Sequence, residues 1–345
     1  WSVLNGELDN IKIWNKALNE NELNGELDSF QGLVGHWKFN TGSGEILYDH
    51  SGNGNHGALM NMDESAWVEN IYGCTDELAI NYNPDANWDD GSCTYPDNGD
   101  YSLSFDGEND WIEVEDDYSL NNFDEITISS WIKLGELNNH RYMIAEKKST
   151  GVGWWFAIND GNDDVNEENK LMMVIDDGYS EAESNAFAYS SIDFPADEYV
   201  HAVGTFSVSN GVHIFINGID YTSGQWNGMQ NVGIANAETS LSIGQCRWCE
   251  DAFTNKTINE IKLWDVELSA DDIMNEYLYG ESIDDNSLKA NWKFNAGQDS
   301  ILYDHSGNQN HGTINGATWV ENIYGCTDEL AINYNPDATI DDGSC

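Results

Sequence analysis

The chain has 345 residues, 40% hydrophobic and 12% aromatic, which is enough to bury a core and unlike a disordered acidic tail. Its 62 Asp and Glu against 13 Lys and Arg leave a formal charge of −49. That balance excludes nucleic acid as a partner, because phosphate contacts need basic side chains, and it disfavours an anionic membrane surface.

Predicted elements follow in chain order. Residues 1–14 end on "IKIW", an apolar strand, and "ALNENELNGEL" at 17–27 reads as a short helix. "WKFNTGSGEILYDHSGNGNHG" at 37–57 is rich in turn residues, and "WVEN" follows at 67–70. "IYGCTDELAINYNPDANWDDGSC" at 71–93 is acidic and ends on a cysteine. Residues 101–250 then read as a series of short strands. They are "YSLSFDG", "DWIEVE", "ITISSWIKL", "GWWFAIND", "KLMMVIDD", "YVHAVGTFSV", "GVHIFINGI" and "TSLSIG". Asn217-Gly218 marks a hairpin turn, and Trp131, in an alternating strand, is expected in the core. "LSADDIMNEYL" at 268–278 is a short helix with Ser269 as N-cap and Ile273, Met274 and Tyr277 on one face. Eight or more strands without intervening helices predict an antiparallel β-sandwich.

Much of this recurs. "IKLW" returns at 261–264, "WKFNAGQDSILYDHSGNQNHG" at 292–312 and "WVEN" at 319–322, giving offsets of 250, 255 and 252 residues. "IYGCTDELAINYNPDATIDDGSC" at 323–345 differs from 71–93 only at Asn87/Thr339 and Trp88/Ile340. The chain therefore holds about 1.4 repeats of a unit of about 252 residues. The expected organisation begins with a last strand and short helix of a preceding unit at 1–32 and a linking β segment at 33–70. A first acidic knot at 71–93 and a linker at 94–100 come next. A complete sandwich at 101–284, a second linking segment at 285–322 and a second knot at 323–345 complete it. Residues 1–14 duplicate the last sandwich strand, so their open edge suits pairing with another sheet, in the same chain or in a neighbouring copy.

"YSLSFDGENDWIEV", "ITISSWIKL", "EYVHAVGTFSVSNGVHIFINGI", "LSIG" and "INEIKLWDVELSADDI", in that order, resemble the laminin-G-like branch of the concanavalin A-like jelly rolls. The resemblance covers about 101–280, with echoes at 1–70 and 285–321. It implies a jelly-roll sandwich and leaves four function classes open: lectin, adhesion module, fibre-forming repeat and glycanase. The "GCTD…DDGSC" segment is similar to a short repeat of secreted proteins from marine microbes.

Six cysteines fall in three local pairs. Cys74 with Cys93 and Cys326 with Cys345 bracket the repeated knot at identical spacing, which predicts two disulfides and an oxidising, extracellular compartment. Cys246 and Cys249 form a C-x-x-C that reads as a loop disulfide, with a redox pair or half a zinc site as alternatives. Asp85, Asn87, Asp89 and Asp90, with Asp337, Asp341 and Asp342 in the second knot, place oxygens at alternate positions as calcium loops do. The EF-hand pattern is not met, and the competing reading is an Asp-rich turn whose carboxylates accept local amides. Asp160, Asp163 and Asp164 form a second candidate calcium cluster.

Catalysis is not expected. Asp49-His50-Ser51 has triad residue types, but sequence neighbours cannot adopt triad geometry. Glu108, Asp110 and Glu113 fit the spacing of jelly-roll β-glucanases, yet they sit on an entry strand. Trp154, Trp155, Trp226 and Trp248 are candidates for a sugar-stacking platform. The expected function is a secreted, calcium-stabilised structural or adhesive repeat that associates with its own kind; a glycan-binding lectin-like module is the alternative, and a β-glucanase is the third reading.

Overall fold

The computed structural model describes residues 6–18, 32–135, 141–149, 151–160, 168–177, 185–228, 234–247, 255–280 and 286–345. The chain divides into two compact units. One is Trp1–Thr75 with Asn83–Asp90, and the other is Asp76–Tyr82 with Gly91–Cys345.

In the first unit β1 (Ile11–Trp14) pairs antiparallel with β2 (Leu33–Trp37), and β3 (Ile46–Leu47) pairs with β4 (Gly57–Ala58). β5 (Tyr72–Gly73) and β6 (Trp88–Asp89) form a short parallel pair in the first knot. Among the described residues β1 pairs with β2 alone. Ile13 stands 50% exposed there. The predicted helix at 17–27 lies largely outside the described residues.

The second unit is an antiparallel two-sheet sandwich. Its strands are β7 (Tyr101–Asp106), β8 (Trp111–Val114), β9 (Ile126–Leu134), β10 (Tyr142–Ser149), β11 (Val152–Asp160), β12 (Glu168–Asp177) and β13 (Asn185–Ser190). Then come β14 (Tyr199–Ser207), β15 (Gly211–Ile216), β16 (Ile219–Asp220), β17 (Thr222–Asn227), β18 (Leu241–Ile243) and β19 (Asn255–Trp264). β20 (Leu288–Trp292), β21 (Ile301–Leu302), β22 (Gly312–Asn315) and β23 (Thr318–Glu321) close it. One sheet runs β17-β13-β12-β11-β10-β18-β8-β22-β21. The other runs β16-β15-β14-β9-β19-β7-β23, with β20 also on β19. β24 (Tyr324–Gly325) and β25 (Ile340–Asp341) pair in parallel in the second knot, as β5 and β6 do in the first.

Alternation explains the core. On β9, Ile126, Ile128, Ile132 and Leu134 point inward, opposite Phe156, Ile158, Leu171 and Met173 of the other sheet in one apolar cluster. The phase decides the fate of Trp131. Trp131 is one residue from Ile132 and three from Ile128, an odd offset that puts it on the opposite face, so it lies on the outer face, half-buried, and not in the core as its strand suggested.

Residues 285–322 are part of the sandwich and not a link between domains. β20 extends β19, β22 pairs with β8, and β23 pairs with β7. Trp292, Phe294 and Leu302 are each 1% exposed in the main core. Leaving them outside would open the sandwich and expose three large apolar side chains.

The helix α1 (Ala270–Tyr279) covers the outer face beside β9 and β14. Its Ser269 cap and Asp272 bond reciprocally as a capping box, and Gly280 ends it in the left-handed conformation at φ 67°. Ile273 and Glu276 are its buried residues.

Candidate functional site

The outer face of the eight-stranded sheet carries a row of large side chains set by register. His201 opposes Trp131 across β14 and β9, and Asn259 opposes Trp131 from β19. Tyr199 sits one pleat further along β14 on the same face. Tyr277 of α1 stacks on Trp131 at 5.7 Å between ring centroids and on His201 at 5.9 Å. Trp131 and Tyr199 line a groove of about 520 Å³, together with Tyr324, Asn259, Glu260 and Lys293.

The backbone is bent to present one of these groups. Glu260 occupies a bulge between β19 and β9 with φ 41°, a conformation that costs a non-glycine residue about 1–2 kcal/mol. The bulge turns its carboxylate to the groove, where Lys262 Nζ holds Oε1 at 3.2 Å. Local strain of this kind persists where neighbouring structure enforces it.

Polar groups fix the groove's far wall. Asp100 accepts the Tyr324 hydroxyl at 2.6 Å and the Asn322 amide at 2.8 Å. Ser102 Oγ donates to Asn322 Oδ1 at 2.9 Å and meets the Tyr199 hydroxyl at 2.9 Å. Burial, with Asp100 beside it, pushes the Tyr324 phenol well above its usual range, so it stays a neutral donor. Burial likewise raises Tyr199.

Beneath the helix lies a buried charge cluster. Glu276 accepts the Ser129 hydroxyl at 2.7 Å and lies 3.6 Å from both Lys262 Nζ and His201 Nε2. Burial pushes its carboxyl up, but His201, Lys262 and Ser129 outweigh that and hold it below the usual range.

The repeated "YDHSGN" turn is a hydrogen-bond hub. Asp304, fully buried, takes the amides of Asn291, Ser306 and Asn310 at 2.8–2.9 Å and the Ser306 hydroxyl at 2.8 Å. Asp49 takes the matching four donors, His36, Ser51 and Asn55 amides and the Ser51 hydroxyl. The Asp-His-Ser run is therefore structural. His305, in the same turn, is packed edge-on to Tyr95 at 5.4 Å. Burial, with Lys293 and His311 nearby and Asp97 opposing, pushes its imidazole down to about 4 from 6.5. The unfolded chain thus binds the extra proton between those values, so stability is complete above pH 6.5 and falls as pH drops toward 4. Thermal melts over that window should show the decline, and His305→Asn should flatten it.

The other sequence-predicted residues are placed as follows. Cys326 and Cys345 form a disulfide, and Cys74, Cys93 and Cys246 are disulfide-bonded; Cys249, Trp248, Asp163 and Asp164 lie outside the described residues, as does the Asp160 side chain. The knot oxygens serve the backbone. Asn87 Oδ1 accepts the Ile71 amide at 2.9 Å, and Thr339 Oγ1 accepts the equivalent Ile323 amide at 2.8 Å. Asp341 and Asp342 accept the amides of Gly343 and Ser344. Asp85 and Asp337 are exposed, and Asp89 and Asp90 lie in the turn equivalent to Asp341 and Asp342. Among the described residues no three His, Cys, Asp or Glu are grouped to hold a metal ion.

Trp154 and Trp155 do not form a surface platform. Trp154 is 2% exposed in the main core, and Trp155 is 4% exposed in a second apolar cluster on the sheet's other face, with Arg141 over its ring at 5.1 Å. Both faces of β11 are covered, so alternation buries both rings. Trp226 is 45% exposed on β17, the edge of the nine-stranded sheet, away from the groove lining. Asp110 is buried, with Oδ2 on the Asp106 amide, whereas Glu113 projects outward to the Ser240 hydroxyl and Glu108 is exposed. Trp131, Tyr199, Asn259, Glu260 and Tyr324 are groove residues that sequence reasoning missed. Only Trp131 carried a signal, the phase of its strand.

Comparison with known proteins agrees with this architecture. No curated protein matches the chain. Among solved structures, a protein from Bacteroides ovatus provisionally described as carbohydrate-binding superposes with a TM-score of 0.50 at 18% identity, covering 66% of this chain. The chain spans 61% of that protein's length. A heptameric SAP-like pentraxin from Limulus polyphemus gives 0.37 at 13% identity, covering 56% of this chain and 86% of the pentraxin. Residues 106–274 match the family model described as the concanavalin A-like lectin/glucanases superfamily, and the sandwich has the concanavalin A-like fold.

Proposed function

We propose that the sandwich is a non-catalytic saccharide-binding module and that the Trp131 groove is its site. The carrying observation is the pairing of aromatic faces, Trp131, Tyr199 and Tyr324, with the hydrogen-bonding side chains of Asn259, Glu260 and Lys293 in one concave surface. Sugar rings offer an apolar face for stacking and hydroxyls for fixed polar groups. The description of the Bacteroides ovatus protein supports the same class. Both oxygens of Asp100 are committed to Asn322 and Tyr324, which supports binding over hydrolysis. The chain's charge of −49 favours neutral or cationic sugars over uronic or sulfated chains.

The test is a glycan array followed by calorimetric titration of the best neutral oligosaccharide. Trp131→Ala should weaken binding about tenfold or more, a loss of about 1.4 kcal/mol, with no release of reducing ends by the parent protein. Binding unchanged in Trp131→Ala sinks the groove as the site.

A second reading is supported by a separate contact: a building block of an extracellular array. Asp76 of the first knot accepts the Tyr95 hydroxyl at 2.7 Å and His311 Nε2 at 2.6 Å, so this carboxylate ties residues 76–82 to the sandwich that follows them. The disulfides suit an oxidising, extracellular setting.

A further inference from the structure

Among the described residues the contact of Asp76 with His311 is made once, yet the residues for it occur twice. In the second unit His311 is oriented before it meets Asp76. Its Nδ1 accepts the Asp304 amide at 2.9 Å and so carries no proton, which leaves Nε2–H as the donor to the Asp76 carboxylate. Tyr95 fills the joint, stacked on Tyr303 at 5.3 Å and edge-on to His311 at 5.0 Å. Asp76 is 6% exposed. Burial pushes its carboxyl up, but the Leu78 amide, the Tyr95 hydroxyl and His311 outweigh that and hold it below the usual range.

The receiving half exists a second time, in the first unit. Tyr48, His50 and His56 occupy the positions of Tyr303, His305 and His311. His56 Nδ1 accepts the Asp49 amide at 3.0 Å, so its Nε2–H is likewise the outward donor. Tyr48 meets His56 edge-on at 5.6 Å and 72°, against 5.7 Å and 73° for Tyr303 and His311. His56 is exposed and Tyr48 is 46% exposed.

The inserting half also exists a second time, in the C-terminal knot. Asp328 Oδ1 takes the Leu330 amide at 2.8 Å as Asp76 takes that of Leu78 at 2.9 Å, which leaves the other carboxylate oxygen facing outward. Asp328 is exposed where Asp76 is buried. Leu330 and Ile332 are 94% and 107% exposed, against 47% and 69% for Leu78 and Ile80.

We propose that the Tyr48–His56 face and the C-terminal knot are the two halves of a joint between copies of this chain. Asp328 of one copy accepts His56 Nε2–H of the next. The occupant is named by the molecule itself, since the same residues already close on each other around Asp76 and His311. The inserting and receiving halves are different surfaces, so the contact is heterologous and propagates head to tail. This inference rests on the array reading and not on the glycan reading.

Sedimentation velocity of the full chain over a wide concentration range tests it. The expected result is a sedimentation coefficient that rises with concentration. Asp328→Asn and His56→Gln should each weaken association about tenfold or more. A mixture of the two variants should stop at dimers, because each retains one working half. Association that persists in both variants overturns the proposal and assigns self-contact to another surface, such as the open edge of β1. A chain that stays monomeric throughout also overturns it and leaves the two halves to neighbouring repeats of one polypeptide. The array reading fails separately, if Asp76→Asn leaves the melting of the sandwich unchanged.

Discussion

Asp304→Ala lowers the melting temperature of the sandwich by about 10 °C. The fully buried carboxylate satisfies three backbone amides and one hydroxyl. Alanine leaves all four donors without their acceptor at once, and Asn291 and Asn310, whose amides are affected, are 8% and 3% exposed. Each buried donor left unpaired costs about 1–3 kcal/mol, so a total of about 3–5 kcal/mol is expected. For a unit of this size 1 kcal/mol moves the midpoint by about 2–4 °C. Asp304→Asn should fall between parent and alanine, because it keeps one acceptor but turns an NH₂ toward donors. A melting point within about 2 °C of the parent in Asp304→Ala would show that the turn is held by other contacts. The experiment is differential scanning calorimetry on the full chain, where the alanine and asparagine variants are compared in one buffer.

Glu276→Ala is the second large effect, at about 3–5 kcal/mol in a denaturant titration. Glu276 is the acceptor for Ser129 and a neighbour of Lys262 and His201, and both Glu276 and Lys262 are nearly fully buried. Removing the carboxylate leaves the buried Lys262 ammonium with the Glu260 carboxylate and the Gly280 carbonyl, each at 3.2 Å, in place of its fuller charge cluster. A buried charge without its partner is far costlier than no charge at all, so Glu276→Leu combined with Lys262→Met should recover most of the loss. Because the Glu276 carboxyl is held below its usual range, its contribution is present above its unfolded value of 4.5 and disappears as pH falls below it. The parent should therefore lose stability in acid more steeply than the double variant. Equal stability of Glu276→Ala and the parent at neutral pH would mean that water, and not the carboxylate, solvates Lys262.

Much of the fold was legible because two simple signals ran along the chain. Period-2 alternation marked the sandwich strands, and duplication of whole segments marked the repeat. Local chemistry was legible too: Ser269 caps its helix, and Asn217, at φ 50°, starts a tight turn. Membership of the sandwich was harder. The strand at Gly312–Asn315 pairs with one about 200 residues earlier, and nothing in either segment names the other. The isolated first copy of that segment made it look like a linker.

The groove was the least legible part. It draws residues from seven separate stretches, and its most distinctive member, Glu260, depends on a bulge that no residue pattern announces. Trp154 and Trp155 misled for the opposite reason. Adjacent aromatics on a strand suggest that one faces water, but a second apolar cluster covers the outer side of β11. The spacing of the knot acids serves two chemistries. Alternate oxygens suit a calcium loop, yet the same spacing lets each carboxylate reach an amide two residues ahead, as Asp341 and Asp342 do. The exchange of Asn87 for Thr339 is intelligible in that light, because each accepts one backbone amide, of Ile71 or Ile323, and donates to one carbonyl, of Glu69 or Glu321.

Tyr101 pairs with Glu321, so the two ends of the sandwich leave it side by side on adjacent antiparallel strands. Tension applied through neighbouring repeats would therefore act as on a zipper, opening β7 from β23 one rung at a time, instead of shearing all rungs together. The rung just outside the pair is a polar cluster, where the Asn322 amide meets the Asp100 carbonyl at 2.9 Å and the Asp100 carboxylate holds Asn322 and Tyr324. Those charge-assisted bonds are the strong members of the set. Were such units joined in an array, Asp100 would be the latch that holds β7 and β23 together until the load broke it.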